Sequence, residues 1–407
     1  MSAFPRPPAL LAAELDLYRK SYGASVREMD RTIAGTASHR ELIDLTHGDT
    51  RAFTPPESAE RDFVAALTEN TEAYTAYRGS ASVRSTLAPR LSELLGSPVD
   101  PDSQVVLTPG TQGGLFTSLS ALISPGDVVA FPAVEYFMDE RICAYLGATS
   151  YRLALHQDEA GVITIRDEDL EEAARHGVRG LVLSHPNNPT GGLYDRESAE
   201  RLAAWVVAHD LWAVVDQLYC RLVFDDRDYV HLGSLSGMSE RTVTLVGPSK
   251  TESMSGYRVG AAVGPREIVD AMEQVISLTS LRTAGYGQQA LRHWMHEDGS
   301  WLGERTKAHQ QIRDTLVDRF RSISGVKVSA PAGSSYVFPD VSRSPWALTH
   351  GDDDFALAVE LKKNGVLIAP GYQFGLAGRG HFRINFSQDA DRLARACDVI
   401  EEVLSTS

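Results

Sequence analysis

The chain has 407 residues, 43% of them hydrophobic and 23% charged, ordinary globular values that exclude a disordered, fibrous or disulfide-miniprotein class and allow two domains of ~100–200 residues each. Acidic residues outnumber basic ones 54 to 39, a formal charge of −15 that opposes a broad grip on nucleic acid or an anionic membrane. Cys143, Cys220 and Cys397 are too few and too scattered for a disulfide framework or a zinc knuckle, so no metal is expected and a reducing, cytoplasmic setting is.

The start, through Pro5, Pro7 and Pro8, has no basic leader, and no run reaches the ~18–20 apolar residues of a membrane span. Leu10, Leu11, Leu15, Leu17 and Tyr18 fall at helical spacing, which predicts a packed N-terminal helix within 9–34. From about residue 58, helical stretches alternate with short apolar runs at Val105–Leu107, Val128–Phe131, Gly180–Ser184, Trp212–Val215, Val243–Val246 and Val259–Val263. Such Val- and Leu-rich runs with helix-length connections predict a three-layer α/β/α domain around a mainly parallel sheet. After about residue 300 come a long polar helix, Leu302–Ser322, strand-like Val326–Val328 and Tyr336–Phe338, a helix near Phe355–Asn364, a strand Phe382–Phe386 and a terminal helix. This is a smaller α+β domain. The expected division is 1–57, contributing to the small domain and the site entrance, 58–300, the large domain, and 301–407, the small domain.

Four tracts carry chemistry. Gly247-Pro248-Ser249-Lys250 follows a strand, and Arg258 lies eight residues beyond Lys250; a lysine there can form a Schiff base while the arginine holds a phosphate. Ser184-His185-Pro186-Asn187-Asn188-Pro189-Thr190-Gly191 and Asp216-Gln217-Leu218-Tyr219 each follow an apolar strand, at the carboxyl ends where open α/β sheets bind ligands. Arg383 is the one charge in the otherwise largely apolar Phe382–Phe386, and a buried arginine calls for an anion such as a substrate carboxylate. Singly, each tract also fits a plainer role as a surface lysine, a turn or a helix cap. Their conjunction does not.

In these tracts, and in their order and spacing from about residue 42 onward, the chain resembles the class I/II aminotransferases, fold-type I enzymes that use pyridoxal 5′-phosphate (PLP). The resemblance implies that Lys250 forms the Schiff base and shuttles the α-proton, that Asp216 pairs with the pyridine nitrogen, and that Asn188 and Tyr219 donate to the phenolic oxygen. Arg258 would contact the phosphate, and Arg383, with Asn188, the substrate. More loosely, Gly110, Thr111 and Gln112 would open a helix whose amides cradle the phosphate, and Tyr136 would stack on the ring. Gly48 would line the substrate loop, with His47 and Asp49 as turn residues. Tyr74 of Tyr74-Thr75-Ala76-Tyr77-Arg78-Gly79 would reach the phosphate of a neighbouring subunit, implying a homodimer with shared sites.

Gly247 departs from the pattern, since family members commonly carry Ser or Thr there as a phosphate ligand; Ser249 is the candidate replacement. Arg282, Tyr372 and Phe374 are candidates for side-chain selectivity, and Cys220 is read as a packing residue. The implied function is amino-group transfer between an L-amino acid and a 2-oxo acid by a ping-pong Schiff-base mechanism. The alternative keeps the same cofactor for elimination, replacement, cyclisation or carbon–carbon bond formation, as in enzymes resembling 1-aminocyclopropane-1-carboxylate synthase that act on S-adenosylmethionine. A third reading, a non-catalytic regulator on this fold, is disfavoured by the charge and by the intact Lys250, Asp216 and Arg383.

Overall fold

The computed structural model describes residues 8–14, 17–69, 73–296 and 299–406. Its centre is a seven-stranded sheet of β1 (Val105–Thr108), β2 (Val128–Pro132), β3 (Thr149–Leu153), β4 (Val178–Ser184), β5 (Trp212–Asp216), β6 (Thr242–Val246) and β7 (Gly260–Val263). The spatial order is β1-β7-β6-β5-β4-β2-β3, parallel except for β7, which runs antiparallel to both neighbours.

Alternation along the strands explains the layers, because successive side chains leave opposite faces of a strand. Val182 of β4 and Val214 of β5 join Leu115, Leu119, Val269 and Met272 from helices Gly110–Leu122 and Arg266–Leu278. Leu181, Leu183, Ala213 and Val215 pack on the other face with Leu202 and Val206 of helix Arg196–Ala208. Burial on both faces is what makes these strands nearly continuous apolar runs. β3 was not anticipated: it is an edge strand whose residues Thr149–Tyr151 remain partly or fully exposed, so Thr-Ser-Tyr-Arg-Leu carries no buried-strand signal.

A second core gathers Phe320, Phe382, Ile384, Phe386, Leu393 and Ile400 near the C-terminus with Tyr18, Val26, Met29, Ile33 and Leu45 near the N-terminus. The link is also polar: Tyr22 donates to Asp354 at 2.9 Å, Tyr372 to Asp30 at 2.8 Å, and the Lys362 ammonium to the carbonyls of Ile33 and Ala34 at 2.6 and 2.8 Å. Here β8 (Tyr336–Val337), β9 (Ala369–Pro370) and β10 (Phe382–Asn385) form a small antiparallel sheet with β10 in the middle.

Two expectations need correction. The single N-terminal helix is instead three, Pro8–Ala12, Leu17–Tyr22 and Val26–Gly35: left-handed Gly23 (φ +71°) follows the second, and Ser25 with Glu28 builds a capping box that starts the third. Leu10 and Leu11 are exposed while Tyr18 is buried, and Leu15 and the Leu17 side chain lie outside the described residues. Val326–Val328 is not a strand, since only Lys327 bridges to Asp340 and no ladder continues from it.

Gly180 lies on β4 against the indole of Trp212, the residue opposite it on β5, and an added Cβ would collide with that ring. Gly180→Ala should therefore destabilise by about 1–3 kcal/mol, read as a lower thermal midpoint with altered tryptophan fluorescence.

Candidate active site

The carboxyl ends of the parallel strands bring the tracts together. Thr111 and Gln112 follow β1, Tyr136 follows β2, Asn188 follows β4, Asp216 and Tyr219 follow β5, and Ser249 and Lys250 follow β6. Arg258 precedes β7, and because β7 is antiparallel its start lies on the same edge, with Gly260 opposite Thr108. All of these line one cavity of about 150 Å³, with Ser184 and Tyr336.

The start of helix Gly110–Leu122 shows how tightly the site is drawn. Gly110 has φ +71°, and a Cβ there would lie 2.6 Å from Nη2 of Arg258, so the guanidinium rests against backbone that no other residue would leave open. Arg258 is itself left-handed (φ 53°) and donates to the Ser255 carbonyl at 2.8 Å. Free helix-start amides, the Thr111 and Ser249 hydroxyls and one arginine form an anion-binding corner.

On the opposite wall, Asp216 accepts from the Leu218 amide at 3.0 Å. Burial raises its carboxyl to about 6, opposed by that amide and by the Lys250 charge, so it is mostly ionised at neutral pH and suited to a cationic N–H partner. Burial keeps the proton on Tyr219, which donates to Tyr336 at 2.8 Å. Among the described residues no hydrogen bond or ion pair holds the Lys250 amine.

Arg383, on β10, stands behind this wall and does not itself line the cavity; it contacts Asn188 and Tyr336, which do. It is 5% exposed, donates through Nη1 to Asn188 Oδ1 at 2.7 Å and through Nη2 to the Thr46 carbonyl at 3.2 Å, and lies over Tyr336 and Phe374 at 4.0 and 4.8 Å. Its buried Nε has no partner, which leaves a donor for a bound anion.

Other expected residues sit elsewhere. Gly48 does not line the cavity; a Cβ there would meet Ser387 Cβ at 3.2 Å. Tyr74 is 78% exposed and outside its own chain's cavity, with Arg282 stacked over it at 3.8 Å. Tyr372 and Phe374 are buried; Tyr372 bonds Asp30 instead of facing the site. Asp49 caps its own turn by accepting from Arg51 N at 2.8 Å. Burial pushes the Cys220 thiol up to about 12, consistent with a packing residue.

Three contributors escaped sequence reasoning. Tyr336 reads simply as an apolar strand residue. Glu135 and Asp139 flank Tyr136 and are both buried. The Glu135 carboxylate accepts from the amides of Tyr136 and Ser184 at 2.7 and 3.0 Å, from the Ser184 hydroxyl, and from Asn187 at 3.3 Å. These donors oppose, without outweighing, the burial that raises its carboxyl to about 8. Asp139 is 2% exposed and its Oδ1 has no partner; burial, then Glu135 and Asp216, raise its carboxyl well above the usual range, so Asp139 keeps its proton.

A mainly parallel sheet with one antiparallel strand, carrying an open lysine, a buried aspartate and an anion corner at its carboxyl edge, defines the fold-type I architecture of PLP-dependent transferases. The model for aminotransferase class I and II matches residues 40–400, and the chain belongs to that family. It is 28% identical over 400 residues to an aspartate/prephenate aminotransferase of Cereibacter sphaeroides, covering 97% of this chain and 98% of that one. It is 26% identical to aromatic-amino-acid aminotransferase 2 of Thermococcus litoralis, covering 90% and 95%. A crystal structure of an aspartate aminotransferase from Rhodobacter sphaeroides superposes with a TM-score of 0.85 and 34% identity over 93% of this chain and 99% of that one. The protein is thus an aminotransferase of a PLP-dependent family, and these similarities favour amino-group transfer over elimination or cyclisation. Among the described residues no helix is long and apolar enough to cross a membrane.

Asp139 holds in the native state a proton that the unfolded chain releases above its ordinary carboxylate pKa. Stability should therefore fall as pH rises through that value and towards the raised native one. Asp139→Asn, isosteric and neutral, should lack this slope, and thermal midpoints measured from about pH 4 to 8 should show the variant gaining on the wild type.

Proposed function

We propose that this chain binds PLP in the cavity at the carboxyl edge of its sheet and uses it to move an amino group between an L-amino acid and a 2-oxo acid. The observation that carries the reading is the free Lys250 amine sharing one small cavity with Asp216, Tyr219 and Asn188, while Arg383, tied to Asn188, keeps its Nε–H unpartnered. When bound, PLP supplies an aldehyde for the lysine and an electron sink for the carbon that loses its proton.

Each residue then has a task of its own. Gly110, Thr111, Gln112, Ser249 and Arg258 hold the phosphate end. Asp216, ionised, holds the N–H of the pyridine ring, and Tyr136, fixed by its hydrogen bond to Gln112 at 2.9 Å, covers one face. Asn188 and Tyr219 donate to the phenolic oxygen; the Asn188 Oδ1 is taken by Arg383, which leaves its amide N–H groups for that work. Arg383 holds the substrate α-carboxylate, beside the loop containing Gly48. Lys250 Nζ would be the base that takes the α-proton of the bound amino acid and the acid that gives it back. Amino donor and oxo-acid acceptor use the same site in turn, which is the ping-pong order.

We further assign Tyr74 to the phosphate of a partner subunit in a homodimer; its exposure, and that of Tyr77, Leu278 and Leu281, supports a covered face. Segments 1–57 and 301–407 would work as one small domain against 58–300, supported by the shared core and the Lys362 cap. Three free, buried cysteines and a formal charge of −15 support a cytoplasmic enzyme of small amino and oxo acids, without nucleic acid or membrane as target.

Borohydride reduction followed by peptide mass spectrometry should find the cofactor fixed on Lys250. Lys250→Ala should lose that adduct and turnover together; a variant that keeps full activity would sink the assignment. Arg383→Ala should raise KM for the amino donor by about tenfold or more, and an unchanged KM would remove Arg383 from the substrate site.

A further inference from the structure

We propose that Tyr336 is a positioning residue of this site, its hydroxyl backing that of Tyr219 and its ring carrying the guanidinium of Arg383. The inference rests on the amino-transfer reading above and adds a residue to it.

The placement follows from the small sheet. Tyr336 on β8 is opposite Asn385 on β10, two residues beyond Arg383, so the two side chains leave one face of adjacent paired strands, Tyr336 lining the cavity and Arg383 stacked behind it. Arg383 Cζ lies 4.0 Å from the Tyr336 ring centroid, and the Tyr219 and Tyr336 rings meet edge to face at 5.4 Å with their hydroxyls 2.8 Å apart. Tyr336 therefore touches both the residue assigned to the cofactor oxygen and the residue assigned to the substrate carboxylate, and lines the cavity holding Lys250.

Two buried hydroxyls share one hydrogen bond here, which leaves one proton uncommitted between them. When Tyr219 turns its O–H to the cofactor's phenolic oxygen, Tyr336 can reverse its role and donate to the Tyr219 oxygen, polarising that O–H and strengthening it as a donor. The groups facing Tyr336 are Tyr219 after β5, Lys250 after β6, Arg383 and Asn385 on β10, and Tyr136 after β2. Burial alone would push the Tyr336 phenol up; Lys250, Arg383 and the hydrogen bonds outweigh it and bring the group down to about 8. The ring has a separate task. An arginine stacked on aromatic faces keeps its plane and its free Nε in one orientation.

Tyr336→Phe removes the hydroxyl and keeps the ring, whereas Tyr336→Leu removes both. In the cofactor-free full chain, ultraviolet titration should show a tyrosinate step near pH 8 that Tyr336→Phe lacks; its persistence in the variant would overturn the assignment. In the cofactor-loaded protein, a weaker donor to the phenolic oxygen disfavours the deprotonated Lys250 linkage. Tyr336→Phe should therefore raise the pH midpoint of the visible band by about half a unit or more, with KM for the amino donor held within about twofold. Tyr336→Leu should in addition raise KM by about fivefold or more. An unmoved midpoint in Tyr336→Phe, or equal KM values in the two variants, would overturn the role. Wild-type protein that takes up no PLP would overturn the amino-transfer reading itself, a result the tyrosinate titration does not depend on.

Discussion

The hydrogen bond from Arg383 to Asn188 is the contact on which the geometry of the site depends. Arg383 is on the middle strand of the C-terminal sheet and Asn188 on the loop leaving β4 of the large sheet. A guanidinium held at 5% exposure must find acceptors or lose several kcal/mol. It finds one on each side, Asn188 Oδ1 and the Thr46 carbonyl. Those two acceptors bring the loop containing Gly48 and the small sheet to the edge where Lys250, Asp216 and Tyr219 stand. The third guanidinium nitrogen, Nε, stays unpartnered, so the same requirement that closes the structure also leaves it asking for a carboxylate.

Charge is separated across the cavity. Lys250, Arg258 and Arg383 lie on the β1, β6, β7 and β10 sides, whereas Asp216, Glu135 and Asp139 lie beneath the ends of β2, β4 and β5. Three carboxyls this deep cannot all ionise without cost. Burial raises the Glu135 carboxyl to about 8 against the opposing donors of Ser184 and Tyr136, and raises Asp139, without a partner on Oδ1, well above the usual range, so these two hold protons at neutral pH while Asp216, at about 6, is mostly ionised. The result is a fixed negative potential behind the place assigned to a pyridine N–H. Neutral His185 and His231 nearby, held down to about 3 and 4 by burial, do not offset it.

Legibility in the sequence followed burial and local spacing. β1, β2 and β4 to β7 could be read because both faces are covered, which makes each a continuous apolar run, whereas β3 at the edge could not. Arg383 was visible as the lone charge in an apolar strand, and Lys250 and Asp216 as polar residues at strand ends. Glu135 and Tyr336 were not: their importance comes from neighbours 49 and 117 residues away in the chain, Ser184 and Tyr219, and no local pattern encodes such pairings; nor was Asp139, whose raised carboxyl follows from a burial that its sequence neighbourhood does not announce. Tyr74 was legible only through resemblance, since the phosphate proposed for it would belong to a second chain.

Gly247 shows how a departure from the family pattern is absorbed by its surroundings. A Cβ at 247 would lie 3.2 Å from the Thr111 Cγ2 methyl and 3.3 Å from the Gly260 Cα, so a serine or threonine there would crowd the helix start that forms the anion corner. The space is instead occupied by Thr111 itself, whose hydroxyl-bearing side chain lines the cavity with that of Ser249. Hydroxyl groups are thus present on both sides of the corner although position 247 has none. Glycine at 247 and threonine at 111 are one packing solution: a side chain at 247 without shrinking residue 111 would press on the Thr111 methyl, Gly260 and the Val259 carbonyl.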